Sequence, residues 1–140
     1  MSENKASALS IIHYDKDGFL MKSDAGIEDC KEYKEKAGVT WINIDSVKDL
    51  ALLQSIGGIF DLHALTIQDI TNAGHRVKHE DFGQYLLLIL KMLEFSRTGK
   101  SILTEQLSII LGKNYVVTFQ ESPGDFFGPL RAPLRLSANR

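Results

Sequence analysis

Residues 85–120 read YLLLILKMLEFSRTGKSILTEQLSIILGKNYVVTFQ, and they determine the class of fold that the chain can adopt. The first run, Tyr85–Phe95, is apolar on both alternating faces, which favours a central strand covered by helices on each side. The apolar residues then alternate, first at 107, 109 and 111 and again at 115, 117 and 119, with the two-residue period of a strand. Turn-forming segments at Arg97–Lys100 and Gly112–Asn114 separate these runs. Two turns between three apolar runs predict an antiparallel meander.

Further strands and helices are predicted on the N-terminal side of this meander. Strands are predicted at Ser10–Tyr14 and Val39–Asp45, and Arg76–Phe82 is predicted to be extended. Helices are predicted at Ile27–Lys36 and Ala64–Thr71. The elements together predict an α/β domain with a mixed sheet that contains an antiparallel meander and is sandwiched between helices (α/β/α).

A further helix is predicted to begin at Ser46. This residue is a natural N-cap, and Asp49 follows three residues later, as in a short capping box. Leu50, Leu53 and Phe60, with Ile56 nearby, are predicted to form a stripe that faces the core.

The domain bounds follow from composition and from one proline. Residues 1–9 are predicted to be a flexible start, and residues 10–127 are predicted to form the folded domain. Residues 128–140 are predicted to be a truncated or frayed end. Pro133 would break any helix that begins at Pro129, at a cost of about 3 kcal/mol in a helix interior.

Composition predicts an ordinary globular protein without nucleic-acid partners. Of the 140 residues, 44% are hydrophobic and 24% are charged, and the formal net charge is −2. These values argue against disorder and give no basic surface for nucleic acid. The sequence contains no signal-peptide pattern and no apolar run of the ~20 residues that span a membrane, which predicts a soluble intracellular chain. Cys30 is the single cysteine, so an internal disulfide is excluded and a structural or incidental thiol is expected.

The chain offers few candidates for catalysis. It has no glycine-rich phosphate loop, nucleophile elbow or paired cysteine motif. Asp45 follows an apolar strand, where an α/β enzyme could place an acid or base, but the favoured interpretation is a cap for the next helix. The sequence therefore predicts no catalytic residue.

His75 and His79 suggest a second kind of site. On a helix, residues four apart share one face, as a zinc site requires, and Glu80 and Asp81 follow directly. On an extended segment the two imidazoles would lie roughly 13 Å apart along the strand. Because the segment reads as extended, a histidine zinc site is the less favoured interpretation.

Five segments, in this order and at this spacing, resemble the cytosolic N-terminal domain of the CorA family of magnesium and cobalt channels: Val39–Asp45, Phe60–Ile70, Tyr85–Leu93, Glu105–Asn114 and Val116–Glu121. The family's membrane helices and its Gly-Met-Asn pore signature would lie further downstream and are not in this sequence. The resemblance implies a regulatory domain at the cytoplasmic face of the membrane, not an enzyme. It also implies that five subunits pack around a pore, and that magnesium bound between their domains favours the closed state.

The same resemblance makes Asp69 the candidate metal ligand. The equivalent helix in the family carries an aspartate that faces a neighbouring subunit and helps to hold a regulatory Mg²⁺. Magnesium keeps several waters and takes one or two carboxylates, so such a site suits it. Gln68 stands where the family commonly has glutamate, so a second carboxylate is missing and a second metal site is in doubt. Without the resemblance, Asp69 would be interpreted as an exposed helix carboxylate.

Two alternative functions remain open at this point. A related exporter of zinc or another divalent cation would have the same fold, because ion selectivity resides in the pore. A free-standing soluble α/β enzyme is the other alternative. The reading frame downstream of Arg140 would separate the transporter interpretations from the enzyme interpretation.

Overall fold

A computed structural model describes residues 9–72, 74, 76–95 and 99–121, without the side chains of residues 94, 95 and 103. The elements, in chain order, are β1 (Leu9–Asp15), β2 (Gly18–Lys22), α1 (Ile27–Lys34), β3 (Val39–Ile44), α2 (Leu50–Ile59), α3 (Ala64–Thr71), β4 (Lys78–Asp81), β5 (Leu86–Phe95), β6 (Ile102–Leu111) and β7 (Tyr115–Gln120). The predicted flexible start (1–9) and frayed end (128–140) lie outside the described residues, apart from Leu9, with which β1 begins.

The strands form one seven-stranded sheet in the order β2-β1-β3-β7-β6-β5-β4. Strands β3 and β7 pair in parallel, and the other neighbouring strands pair antiparallel. Strands β5, β6 and β7 are the predicted antiparallel meander, so the prediction of an α/β domain with a mixed sheet is confirmed. Strand β5 pairs with β4 on one side and with β6 on the other, so it is an interior strand of the sheet, as predicted, and lies next to the edge strand β4.

The helices α1, α2 and α3 pack against one face of the sheet, which we call the helix face. Alternate residues of β1, β3, β5, β6 and β7 point to this face and form one apolar core with the helices. The fully buried members of this core include Ile11, Cys30, Ile42, Leu53, Ile56, Leu87, Ile89, Ile110, Val117 and Phe119. A helix layer on the opposite face, which the α/β/α prediction includes, remains a prediction.

A chain of buried polar side chains ties β3 to β7 on the opposite face. The Trp41 indole N–H donates to Thr118 Oγ1 (2.9 Å), the Thr118 hydroxyl donates to Asn43 Oδ1 (2.6 Å), and Asn43 Nδ2 donates to Gln120 Oε1 (2.8 Å). Asn43, Thr118 and Gln120 are 7%, 3% and 1% exposed, so each needs such a partner. The chain of hydrogen bonds fixes the register of the parallel pair.

Helix α2 begins later than predicted, which corrects two expectations. Asp49 is its N-cap, because Asp49 Oδ1 accepts a hydrogen bond from the Leu52 N–H (3.1 Å), while Ser46 Oγ accepts from the Lys48 N–H (3.3 Å) in the preceding turn. The prediction of Ser46 as N-cap is therefore wrong. Leu50, the first residue of α2, is 56% exposed and does not belong to the inward stripe.

The N-cap assignment can be tested by substitution. Asp49→Ala should lower the free energy of unfolding by about 1 kcal/mol, because it leaves an amide at the start of α2 without its acceptor. Ser46→Ala should cost less. Urea unfolding followed by far-UV circular dichroism measures both changes. A larger loss for Ser46→Ala than for Asp49→Ala would contradict the assignment.

Candidate cation site

Helix α3 carries Asp69 and is anchored at its N-terminus by Tyr85. The Tyr85 hydroxyl lies 2.7 Å from Thr66 Oγ1 and accepts a hydrogen bond from the His63 N–H (3.0 Å). His63 is the N-cap of α3, since its Nδ1 accepts from the Leu65 N–H (3.0 Å). Thr66 and Ile70 are buried, whereas Leu65 is 57% exposed. These contacts hold α3 over the β4 end of the sheet.

The Asp69 carboxylate shares a cation with a second carboxylate. Lys78 Nζ lies 2.7 Å from Asp69 Oδ2 and 3.0 Å from Glu80 Oε1. Lys78 and Glu80 are two residues apart on β4 and therefore point to the same face. The hydrogen bond to Asp69, and after it the one to Glu80, raises the pKa of Lys78 above its usual value. Two acidic groups thus converge on one point, where a positive charge already lies.

The main chain at Asp69 is fixed by Gln106 of β6. Gln106 is 3% exposed, and its Nε2 donates to the Asp69 carbonyl oxygen (3.5 Å). Its Oε1 accepts from Lys91 Nζ (3.0 Å), and its N–H donates to Glu121 Oε1 (2.8 Å). The Asn72 N–H also donates to the Asp69 carbonyl oxygen (3.2 Å) at the end of α3. The backbone position of Asp69 is therefore set by the sheet.

Asp69 and Glu80 provide oxygen atoms of the kind that a hard divalent cation takes as ligands. Carboxylate oxygens and retained waters are the ligands that magnesium takes in proteins. The Asp69 and Lys78 side chains are 21% and 27% exposed, so water and a neighbouring molecule can reach them. Within the part of the chain that the structure describes, no three His, Cys, Asp or Glu side chains form a group that could hold a metal. Asp69 and Glu80 would thus supply part of a ligand set.

The carboxylate that lies near Asp69 comes from a strand and not from the neighbouring helix position. Position 68 carries glutamine, whereas Glu80 lies on β4. The sequence contains one indication of this position. Side chains alternate between the two faces of an extended segment, so Lys78 and Glu80 lie on the same face. Their approach to Asp69 depends on how α3 packs over the sheet.

The other candidates from the sequence do not join this site. His79 lies on β4, which is extended as predicted, and it is exposed; His75 is outside the described residues, so the structure does not test the pair. Asp45 follows β3, but the cap of α2 is Asp49. Cys30 is buried, and its burial raises the pKa of the thiol to about 12. At neutral pH Cys30 is therefore protonated and is not a nucleophile.

Comparisons with known proteins give a consistent picture. The family model for "CorA-like Mg2+ transporter protein" matches residues 36–136. The cobalt/magnesium transport protein CorA of Thermotoga maritima is 32% identical over 127 residues, and the match covers 91% of this chain. The chain spans 36% of the length of that relative. No helix within the described residues has both the length and the apolar character needed to cross a membrane.

Solved structures support the same fold. The soluble domain of CorA from Methanocaldococcus jannaschii superimposes with a TM-score of 0.62 at 19% identity, covering 95% of this chain and 47% of that one. The cytoplasmic domain of ZntB from Vibrio parahaemolyticus superimposes with a TM-score of 0.65 at 9% identity, covering 92% of this chain and 50% of that one. At these identities the similarity establishes the fold and nothing about the ion.

Proposed function

Because the chain belongs to the family of CorA-like Mg²⁺ transporter proteins, we propose that it is the cytosolic, cation-sensing domain of a divalent-cation channel. Its family is one of transporters and not of enzymes. Magnesium is the proposed regulatory ion, and magnesium and cobalt are the proposed cargo of the channel. The proposed partners are the membrane region of the same protein and neighbouring subunits in a homopentamer at the cytoplasmic face of the membrane.

The convergence of Asp69 and Glu80 on the Lys78 ammonium is the observation that supports this proposal. A site that already accommodates one positive charge between two carboxylates has the electrostatic potential to attract a divalent cation. Asp69 and Glu80 would be direct or water-mediated ligands, and a neighbouring subunit would supply the remaining oxygen atoms. The ion would then favour whichever arrangement of subunits brings these ligands together.

The Lys78 ammonium group competes with magnesium for the two carboxylates. Magnesium can bind Asp69 only if the ammonium group moves aside or shares the carboxylates, so part of the binding free energy is lost. A single domain offers two carboxylates and a competing cation, and we expect a dissociation constant of about 1 mM, at the weak end of the range for oxygen-ligand sites. Weak binding of this kind suits an ion that is present at millimolar concentration.

Removing the competitor should strengthen magnesium binding. Lys78→Met keeps an unbranched side chain of similar length and removes the ammonium group that pairs with both carboxylates. Magnesium at about ten times its dissociation constant should stabilise this variant by about 1.4 kcal/mol, which raises the melting temperature by about 3–6 °C. The wild-type chain should respond less. Differential scanning fluorimetry in MgCl₂, against NaCl of equal ionic strength, measures the difference.

Lys22→Met is the matched control, because Lys22 also forms a lysine–aspartate pair, with Asp29 Oδ1 at 2.8 Å. This control should not gain a magnesium response. The additional substitution Asp69→Asn in the Lys78→Met background should abolish the gain. A gain in Lys22→Met as large as that in Lys78→Met would indicate a general effect of charge and would contradict the proposed site.

A further inference from the structure

His13 is a buried histidine whose two ring nitrogens have different environments. It lies on the helix face of β1 and is 5% exposed. Its Nδ1 is 2.8 Å from Thr40 Oγ1, and the Thr40 hydroxyl donates its hydrogen to the Tyr33 carbonyl oxygen (3.2 Å). Because a hydroxyl has one hydrogen, Thr40 accepts from His13, and the neutral imidazole carries its proton on Nδ1. Its Nε2 therefore presents a lone pair.

That lone pair faces a carboxylate instead of a hydrogen-bond donor. His13 Nε2 is 3.6 Å from Asp15 Oδ2, and among the residues that the structure describes it has no hydrogen-bond partner. The two residues are two apart on β1 and share its helix face. A neutral Nε2 and an ionised carboxylate are both acceptors, so they cannot bond to each other. Two acceptors therefore face each other at 3.6 Å, and Nε2 is buried without a hydrogen-bond donor from the described residues.

Hydrogen bonds to the other polar atom of each side chain hold His13 and Asp15 in this orientation. Thr40 fixes the imidazole through Nδ1, which is the usual way in which proteins orient a metal-binding histidine. The Asp15 carboxylate is fixed through its other oxygen, because Oδ1 accepts from the Asp17 N–H (2.8 Å). Gly38 packs against it, since a Cβ at position 38 would lie 2.7 Å from the Asp15 Cβ. The pair is thus organised before any ligand binds.

The separation of the two atoms fits a shared metal ion. A gap of 3.6 Å exceeds the 2.7–3.2 Å of a normal N–H···O hydrogen bond. Two ligands of a tetrahedral zinc ion, each about 2.1 Å from the metal, lie roughly 3.4 Å apart. An imidazole nitrogen with a carboxylate favours zinc, cobalt or nickel over magnesium, which prefers oxygen.

We propose that His13 Nε2 and Asp15 Oδ2 bind a divalent transition-metal ion, with water completing its coordination. Water can enter from the Asp15 side, where the side chain is 34% exposed. The Tyr33 ring lies 5.3 Å from the His13 ring and also contacts Lys36, whose Nζ is 4.4 Å from the centre of the Tyr33 ring. Lys36 is paired with Glu32 (3.2 Å). This site is separate from the one at Asp69 and does not depend on the proposed function.

Zinc binding by the 140-residue chain tests the proposal, with ZnCl₂ alone as the probe. Isothermal titration calorimetry should detect one site that Asp15→Asn weakens at least tenfold, because asparagine keeps an acceptor for the Asp17 N–H but removes the anionic ligand. His79→Gln, which changes an exposed histidine on β4, should leave the affinity unchanged. In ¹⁵N NMR of the imidazole groups, zinc should shift His13 Nε2 while Nδ1 stays protonated.

Three results would overturn the proposal. The first is the absence of zinc binding up to about 1 mM, the concentration that would fill even a weak oxygen-ligand site for calcium. The second is equal affinity in Asp15→Asn and the wild type. The third is a zinc-induced shift of other histidines without one at His13, which would place the ion elsewhere. Asp15→Asn and the NMR measurement do not require the buried His13 to be replaced, so a loss of folding cannot obscure the outcome.

Discussion

Leu53→Ala should lower the free energy of unfolding by about 3 kcal/mol, within the 2–5 kcal/mol range for truncation of a buried leucine. Leu53 is 0% exposed in α2 and belongs to the apolar core between this helix and the sheet. The substitution removes its transfer free energy and leaves a cavity that the surrounding side chains fill in part. Since a domain of this size is stable by about 5–15 kcal/mol, the loss should be plain in a denaturant titration.

Leu50→Ala is the matched control for this prediction. Leu50 begins the same helix, three residues earlier, but it is 56% exposed, and its truncation should change stability by less than about 0.5 kcal/mol. The change in helix propensity is similar for both substitutions, so the difference between them reports burial. Guanidinium unfolding followed by tryptophan fluorescence, with Trp41 as the probe, measures both. Equal losses would contradict the observed orientation of α2.

The fold could be predicted to a large extent because its strands have a clear two-residue period. The alternation at 107–111 and 115–119 defines β6 and β7, and the turn between them fixes their antiparallel pairing. The place of β5 next to the edge strand could not be predicted in this way. Leucine on both faces of Tyr85–Phe95 favours burial on both sides, but the order of strands depends on pairing between distant segments, which a local pattern does not encode.

The error at α2 has a local cause. Ser46 and Asp49 are both strong N-caps, and the sequence contains no rule that selects between them. The chain uses Ser46 to close a turn with the Lys48 N–H and Asp49 to cap the helix. Because α2 starts later than predicted, Leu50 is its first residue and does not face the core. The wrong helix boundary therefore also made the predicted burial of Leu50 wrong.

The candidate site was predicted in part. Asp69 was chosen because of the family resemblance, whereas Lys78 and Glu80 were not chosen, because their contact with Asp69 joins a helix to a strand. The His13–Thr40 hydrogen bond spans 27 residues of sequence and was likewise beyond local patterns. His13 itself is buried because α1 covers it through Tyr33, which is again a contact between distant segments.

Asp69→Asn should have its largest effect in a full-length protein that carries this domain. If magnesium at Asp69 holds neighbouring subunits together, the ion should protect the wild-type protein from proteolysis, and the substitution should remove most of that protection. The isolated domain should remain folded, because a partly exposed ion pair contributes about 1 kcal/mol or less. Urea unfolding of the 140-residue variant provides this control.

The most direct test of the proposed cation sensor is therefore limited proteolysis of the full-length protein, with and without magnesium, in the wild type and in Asp69→Asn. Lys22→Met, which breaks the Lys22–Asp29 pair, is the control for a general effect of charge. We expect magnesium to slow cleavage of the wild type and of Lys22→Met, but not of Asp69→Asn. Equal protection of all three proteins would contradict a role for Asp69 in the sensor.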